Sequence, residues 1–223
     1  MLGIIGGTSL LEFSFDEWKK ETIYTPYGSS ELHTGPDVAL VLRHQNRRAP
    51  HRINYRAHIA ALAISGVDRI ISFASTGSLQ ERIEPGSILI PDDYFSVFPQ
   101  PTIYNHSIDH ILPEFSQEIR DRLLKAVPDA AHGGTYIQTS GPRIETAAEI
   151  RWMSSVGDVV GMTVASEAGI SQELKIPFAA ICTVDNYANG ISTQPVTYEH
   201  IVTNARLFRE RTSRMMKAVV AQC

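Results

Sequence analysis

The chain has 223 residues, 43% of them hydrophobic and 20% charged, with a formal net charge of −4. That size and mix fit one domain, 1–223, with a sizeable core, and the mild acidity gives no reason to expect nucleic-acid or membrane-surface partners. Two distant cysteines, Cys182 and Cys223, make no disulfide framework, the apolar N-terminus lacks the basic flank and length of a signal peptide, and no run approaches ~20 apolar residues, so the expected setting is cytoplasmic.

In chain order, the first predicted strand, 2–5, runs into Gly6-Gly7-Thr8-Ser9. A second, 38–42, ends at Arg43-His44. A helix is predicted over 53–65, because Tyr55, Ile59, Leu62 and Ala63 recur at helical spacing, and Gly66 closes it. Strands follow at 69–74 and 87–90, then a loop over 99–105 and a Gly133-Gly134 turn. Strand 135–138 leads to Ser140-Gly141-Pro142-Arg143-Ile144-Glu145-Thr146, where Glu145 opens a helix. Strand 158–161 leads through Met162-Thr163 to a further helix, and strand 178–184 ends in Asp185-Asn186-Tyr187. A last helix starts near Thr197 and carries Ile201, Ala205, Phe208, Thr212, Met215, Met216 and Val219 along one face. Several strands are apolar on both faces, as expected when helices cover both sides. The fold class read from this alternation is α/β, a single domain with a central mixed sheet flanked by helices.

Five of these strand ends carry groups able to do chemistry. Gly6-Gly7-Thr8 lets a ligand approach backbone N–H groups, although a tight turn explains it as well. Arg43 can fork onto two anion oxygens with His44 as a further donor; a solvated strand end is the plainer alternative. Glu145 and the 161–167 segment are each also accounted for by ordinary helix-start chemistry. Asn186 is also accounted for by a turn, yet strand ends are where open α/β sheets bind ligands. His106 and His110 lie at i and i+4 but lack a third ligand, which favours a structural or interface role over a metal.

Taken together, Gly3-Ile4-Ile5-Gly6-Gly7-Thr8, Arg43-His44, Pro50-His51-Arg52-Ile53-Asn54-Tyr55-Arg56-Ala57, Gly77-Ser78-Leu79, Pro85-Gly86-Ser87-Ile88, Gly141-Pro142-Arg143-Ile144-Glu145-Thr146 and Gly161-Met162-Thr163 follow the order and chemistry of one family. Over nearly its whole length the chain resembles the trimeric methylthioadenosine / purine nucleoside phosphorylases. The resemblance implies a nucleoside phosphorylase-like fold, a homotrimer, no cofactor and no metal, and inorganic phosphate as co-substrate attacking C1′ of a purine nucleoside. It implies that Thr8, Arg43, His44, Ser75 and Thr163 hold phosphate. Met162 would pack on the ribose, Glu167 would serve its hydroxyls, and Ile144 would wall the base where the family usually has Phe. Tyr198, Ile201 and Val202 would lie near the 5′ group, and His110 would be lent to a neighbouring subunit's 5′ pocket; core packing is an equal alternative for Ile201 and Val202.

Adenine-type members carry a carboxylate where Asn186 stands and a serine where Glu145 stands. Here Glu145 can accept from N1–H of a 6-oxopurine and Asn186 can donate to O6 or N7, whereas adenine would set a lone pair against Glu145. This favours methylthioinosine, with inosine and guanosine behind it, over an adenine-specific methylthioadenosine phosphorylase. A non-catalytic purine-binding protein is a third reading, disfavoured by the intact Arg43, His44 and Thr163. The chain departs from the family in a shorter loop, with Gln45-Asn46 after His44, which is expected to loosen the phosphate site.

Overall fold

Strand β1 (Leu2–Gly6) shows how the sheet is built. Its Leu2 and Ile4 join one apolar cluster and Ile5 joins another, on the opposite face. The same division holds in β4 (Val38–Leu42), β5 (Arg69–Ser78) and β11 (Phe178–Tyr187), which explains why these strands read as unbroken apolar runs. The computed structural model describes residues 1–7, 10, 18–96, 98–192, 203 and 209–223.

The remaining strands are β2 (Lys19–Thr25), β3 (Gly28–Gly35), β6 (Ile88–Ile90), β7 (Asp93–Ser96), β8 (Ala131–His132), β9 (Thr135–Gln138) and β10 (Val159–Gly161). The strand path is β2-β3-β4-β1-β5-β10-β9-β7, and β11 branches from β5 towards β6 and β8. β1 pairs in parallel with β4 and β5, and β11 with β5, while the β2–β3–β4 meander and the β5–β10 and β6–β11 pairs are antiparallel. The sheet is therefore mixed and central, as the sequence implied.

Helices cover both faces. On one lie α1 (Tyr55–Ile64) and α4 (Val164–Glu173), through Ile59, Leu62, Val164 and Ala168. On the other lie α2 (Gln117–Ala126) and α5 (Arg209–Gln222), through Ile119, Leu123, Met215, Met216 and Val219. The start predicted for the last helix near Thr197 lies outside the described residues. A third cluster packs α3 (Ala147–Met153) through Ile150 and Met153 against Ile137 and Val160.

Helix starts follow local rules. The Asn54 side chain accepts from Ala57 N–H and opens α1, while Gly66, at φ +83°, ends it in a conformation glycine adopts without strain. Thr146 and Glu149 close a reciprocal capping box at α3. Thr163 occupies the N-cap position of α4, but its side chain makes no capping bond. No helix among the described residues is long and apolar enough to cross a membrane.

Candidate active site

The strand ends converge. β1, β4, β5 and β11 run parallel, so Gly7, Arg43, Ser75 and Asn186 emerge at one edge of the sheet. β10 pairs antiparallel with the end of β5, Val160 opposite Gly77, which carries Met162 and Thr163 to the same edge. Glu145 reaches it through the loop after β9. Thr8, Tyr198, Ile201 and Val202 lie outside the described residues.

Arg43 is 3% exposed, and its fork is occupied from within. Nε donates to Glu167, Nη2 donates to Glu167 Oε2 at 3.1 Å and to Ser72 Oγ at 2.7 Å, and Nη1 donates to the Phe73 carbonyl at 3.1 Å. Ser72 Oγ donates in turn to Glu167 Oε2 at 2.7 Å. Two of the expected site residues thus hold each other. Arg43 does not present an open fork to an anion, because four of its five N–H groups are engaged inside the protein. Glu167, 1% exposed, stands behind Arg43 instead of lining a wall open to ribose hydroxyls. A buried guanidinium needs such a partner, since desolvating either charge alone is costly. Gly7 lies directly over this network: a Cβ there would stand 2.6 Å from Arg43 Nη1 and 2.8 Å from the Phe73 carbonyl oxygen.

His44 is half-buried and hydrogen-bonded through Nδ1 to the Arg48 carbonyl at 2.8 Å. The turn after it is pinned. Gln45 accepts from Glu31 N–H at 2.9 Å and donates to the carbonyls of Glu31 at 3.1 Å and Leu42 at 3.3 Å. Asn46 and Arg47 both take left-handed φ, near +57° and +56°. The loosening expected of this short loop is thus offset by one glutamine side chain stitching it to β3.

Thr163, 6% exposed, donates its backbone N–H to Tyr136 Oη at 3.2 Å. Its hydroxyl, unused as a cap, is left for other work. The Met162 carbonyl accepts from the Tyr55 hydroxyl at 3.2 Å, and its sulfur sits where a Cβ on Gly141 would come within 2.5 Å, so the Gly141 turn and Met162 are mutually placed.

The two residues assigned to base recognition lie on neighbouring segments, Glu145 on the loop between β9 and α3 and Asn186 near the end of β11. Glu145 is 7% exposed and Oε1 accepts from Thr139 Oγ1 at 2.6 Å. Its backbone carbonyl accepts from Asn189 Nδ2 at 3.0 Å, which fastens it to the Asn189-Gly190 turn just past the end of β11. The Asn186 amide donates to the Tyr187 carbonyl at 2.7 Å. Ile144 is 38% exposed beside Arg143, whose guanidinium is bidentate on Glu149 at 2.7 and 2.8 Å.

Three residues that sequence reasoning passed over also belong here. Ser72 completes the Arg43–Glu167 network. Asp185, 1% exposed, sits where the register of β11 against β5 slips between Val184 and Asn186. Burial pushes its carboxyl up to about 6, against the nearby Ser75 and Thr183 hydroxyls, which pull it down. His58 on α1 is pushed down to about 4 by burial, then by Arg43, Arg48 and His44. A buried titratable residue beside a proposed site residue is the signal that could have found Asp185; His58 looks in sequence like any residue on a helix. His110 is exposed on the segment beside Glu173, at the far end of α4 from Thr163, roughly 15 Å away at 1.5 Å per residue. The chain does not bring it to its own strand-end site.

Comparison with known proteins points to one family. The phosphorylase superfamily profile matches residues 2–221. A probable 6-oxopurine nucleoside phosphorylase of Archaeoglobus fulgidus is 43% identical over 218 residues, covering 92% of this chain and 90% of that protein. A probable S-methyl-5′-thioinosine phosphorylase of Thermodesulfovibrio yellowstonii is 39% identical, covering 90% and 83%. Among solved structures, the methylthioadenosine phosphorylase from Schistosoma mansoni in complex with adenine superposes with a TM-score of 0.91 over 99% of this chain and 90% of that one, at 21% identity, a likeness of fold.

Proposed function

We propose that this chain, which belongs to the phosphorylase superfamily, cleaves 6-oxopurine nucleosides by phosphorolysis, with methylthioinosine the preferred substrate and inosine and guanosine behind it. A phosphate oxygen forms a bond to C1′, the C1′–N9 bond breaks, and the base leaves with the bonding electron pair. No side chain need act as nucleophile. The protein's task is to align phosphate and to meet the charge that grows on the departing base.

The observation that carries this reading is the Glu145 carboxylate, buried and held by Thr139, on a residue whose backbone carbonyl accepts from Asn189 in the turn just past β11, the strand that ends in Asn186-Tyr187. A fixed carboxylate is a partner for N1–H of a 6-oxopurine and a misfit for the N1 lone pair of adenine. Relatives at 43% and 39% identity, a probable 6-oxopurine nucleoside phosphorylase and a probable S-methyl-5′-thioinosine phosphorylase, point the same way. Phosphate would lie over Gly7, against the His44 ring, the Thr163 hydroxyl and the remaining Arg43 Nη1 hydrogen, with Thr8 and Ser75 beside it. No cofactor is required, the working unit is a homotrimer in the cytoplasm, and His110 serves a neighbouring subunit.

The test is base release from methylthioinosine, methylthioadenosine, inosine, guanosine and adenosine, with and without inorganic phosphate. The expected result is turnover of the 6-oxopurine nucleosides that requires phosphate or arsenate. Full activity in phosphate-free buffer would overturn phosphorolysis.

A further inference from the structure

The Arg48 carbonyl that meets His44 Nδ1 at 2.8 Å can only accept a hydrogen bond. Nδ1 therefore carries the proton, and the neutral ring keeps a lone pair at Nε2. A lone pair repels an oxyanion, so the tautomer the backbone selects is the wrong one for a phosphate donor. The groups around the ring are Arg43 before it, Arg48 in the turn, His58 from α1 and Glu167 from α4. Burial, then Arg43, hold His44 below the ordinary imidazole range, and His58 is neutral with an Nδ1 that makes no hydrogen bond among the described residues. With Arg43 matched by Glu167 and the His44 and His58 rings neutral near neutral pH, neither ring adds positive charge at this corner before the anion binds. Between Asp37 and Asp68 the chain has no acidic residue but carries Arg43, Arg47, Arg48, Arg52 and Arg56, so no carboxylate of that segment competes for a cationic ring.

We propose that His44 takes up one proton from solvent when the oxyanion binds, so that Nε2 becomes a donor and an imidazolium meets the phosphate, while Nδ1 stays bonded to the Arg48 carbonyl throughout. This rests on the reading of the Arg43–His44 corner as the phosphate site. The balance is simple: one N–H bond forms at Nε2, nothing leaves Nδ1, and the site gains one positive charge with the anion. The anion's own field raises the ring's pKa in the complex. Binding then weakens by up to tenfold per pH unit between the ring's free and bound pKa values, and levels off above them.

Two anions separate this from its rival, in which phosphate donates its own P–OH proton to Nε2. Sulfate has no proton to give near neutral pH. Calorimetric titration of the whole protein with sulfate at pH 7.5, and with inorganic phosphate at pH 8.5, in buffers of differing ionisation enthalpy, counts protons taken up. The expected result is an uptake approaching one proton per site for both anions. His44→Gln, whose amide can donate from the Nε2 position at any pH, should bind sulfate with no uptake and a flat pH profile. Should that variant fold poorly, nitrogen NMR of labelled histidine in the unaltered protein reads the same event, as an Nδ1–H tautomer converting to imidazolium on sulfate addition. Anion binding without proton uptake, refusal of sulfate while phosphate binds, or uptake that survives in His44→Gln would overturn the proposal and leave phosphorolysis standing. Failure of both anions to bind would remove the phosphate-site reading as well.

Discussion

Arg43 is the residue on which structure and site both turn. Its guanidinium is held by Glu167, Ser72 and the Phe73 carbonyl. Arg43→Ala should therefore cost about 3–5 kcal/mol of stability, because Glu167 is left buried and unpaired. It should also raise the phosphate KM and lower kcat, as the His44 corner loses its support. Denaturation and steady-state kinetics on one preparation check both halves. Asp185 gives a pH-dependent prediction of the opposite kind. Its folded pKa is raised to about 6, so its protonated form stabilises the fold at low pH, and that stability is lost as pH rises from the ordinary carboxylate range through about 6. Asp185→Asn cannot ionise. Its stability relative to the unaltered protein should be higher at pH 7 than at pH 4 by up to roughly 3 kcal/mol, at 1.36 kcal/mol per pKa unit, and an equal difference at both pH values would show that the carboxyl does not titrate there.

At the scale of elements, α4 is informative because its N-terminus is built for something other than capping. Thr163 stands at the N-cap, yet the first-turn N–H groups of Thr163 and Val164 face Tyr136 Oη at 3.2 and 3.4 Å, and the threonine hydroxyl makes no cap bond. Thr163→Val should then leave stability within about 1 kcal/mol, unlike the loss of a working cap, while raising the phosphate KM severalfold, as thermal denaturation and phosphate titration will show. The elements that position the site were mostly legible in sequence. β4 and β9 match the predicted 38–42 and 135–138, and α1 lies within the predicted 53–65, because both-face burial and helical spacing leave clear marks. The β2–β3 hairpin was not read: β2 lies at the sheet edge and both strands are half-exposed and polar, with Lys19, Lys20, Glu21 and Ser29 in place of an apolar run. β11 runs past the predicted 184 to Tyr187 because a register slip, invisible in composition, lets the strand continue through Asp185. The pairing of Arg43 with Glu167 joins residues 124 apart in sequence, and no local pattern announces it, which is why both were assigned to substrate directly.

For the whole molecule, the segment 98–116 presents Ile108 and Leu112 to solvent at 101% and 84% exposure, beside His110. Apolar side chains this exposed on an irregular segment fit a surface that another subunit covers. Sedimentation at micromolar concentration should find three chains per particle, and Ile108→Asp should shift the population towards smaller species with lower activity. A fully active monomer would contradict the trimer. The central claim is that a carboxylate at 145 and an amide at 186 select the 6-oxopurine. Its most direct test is kcat/KM for methylthioinosine against methylthioadenosine, with saturating phosphate, in the unaltered protein, Glu145→Gln and Asn186→Asp. The account predicts a strong preference for methylthioinosine in the first. It predicts a tenfold to hundredfold loss of that preference in Glu145→Gln, on the order of 1.5–3 kcal/mol for one charge-assisted hydrogen bond, and a shift towards methylthioadenosine in Asn186→Asp. A preference for methylthioadenosine in the unaltered protein, or one ratio shared by all three, would contradict it.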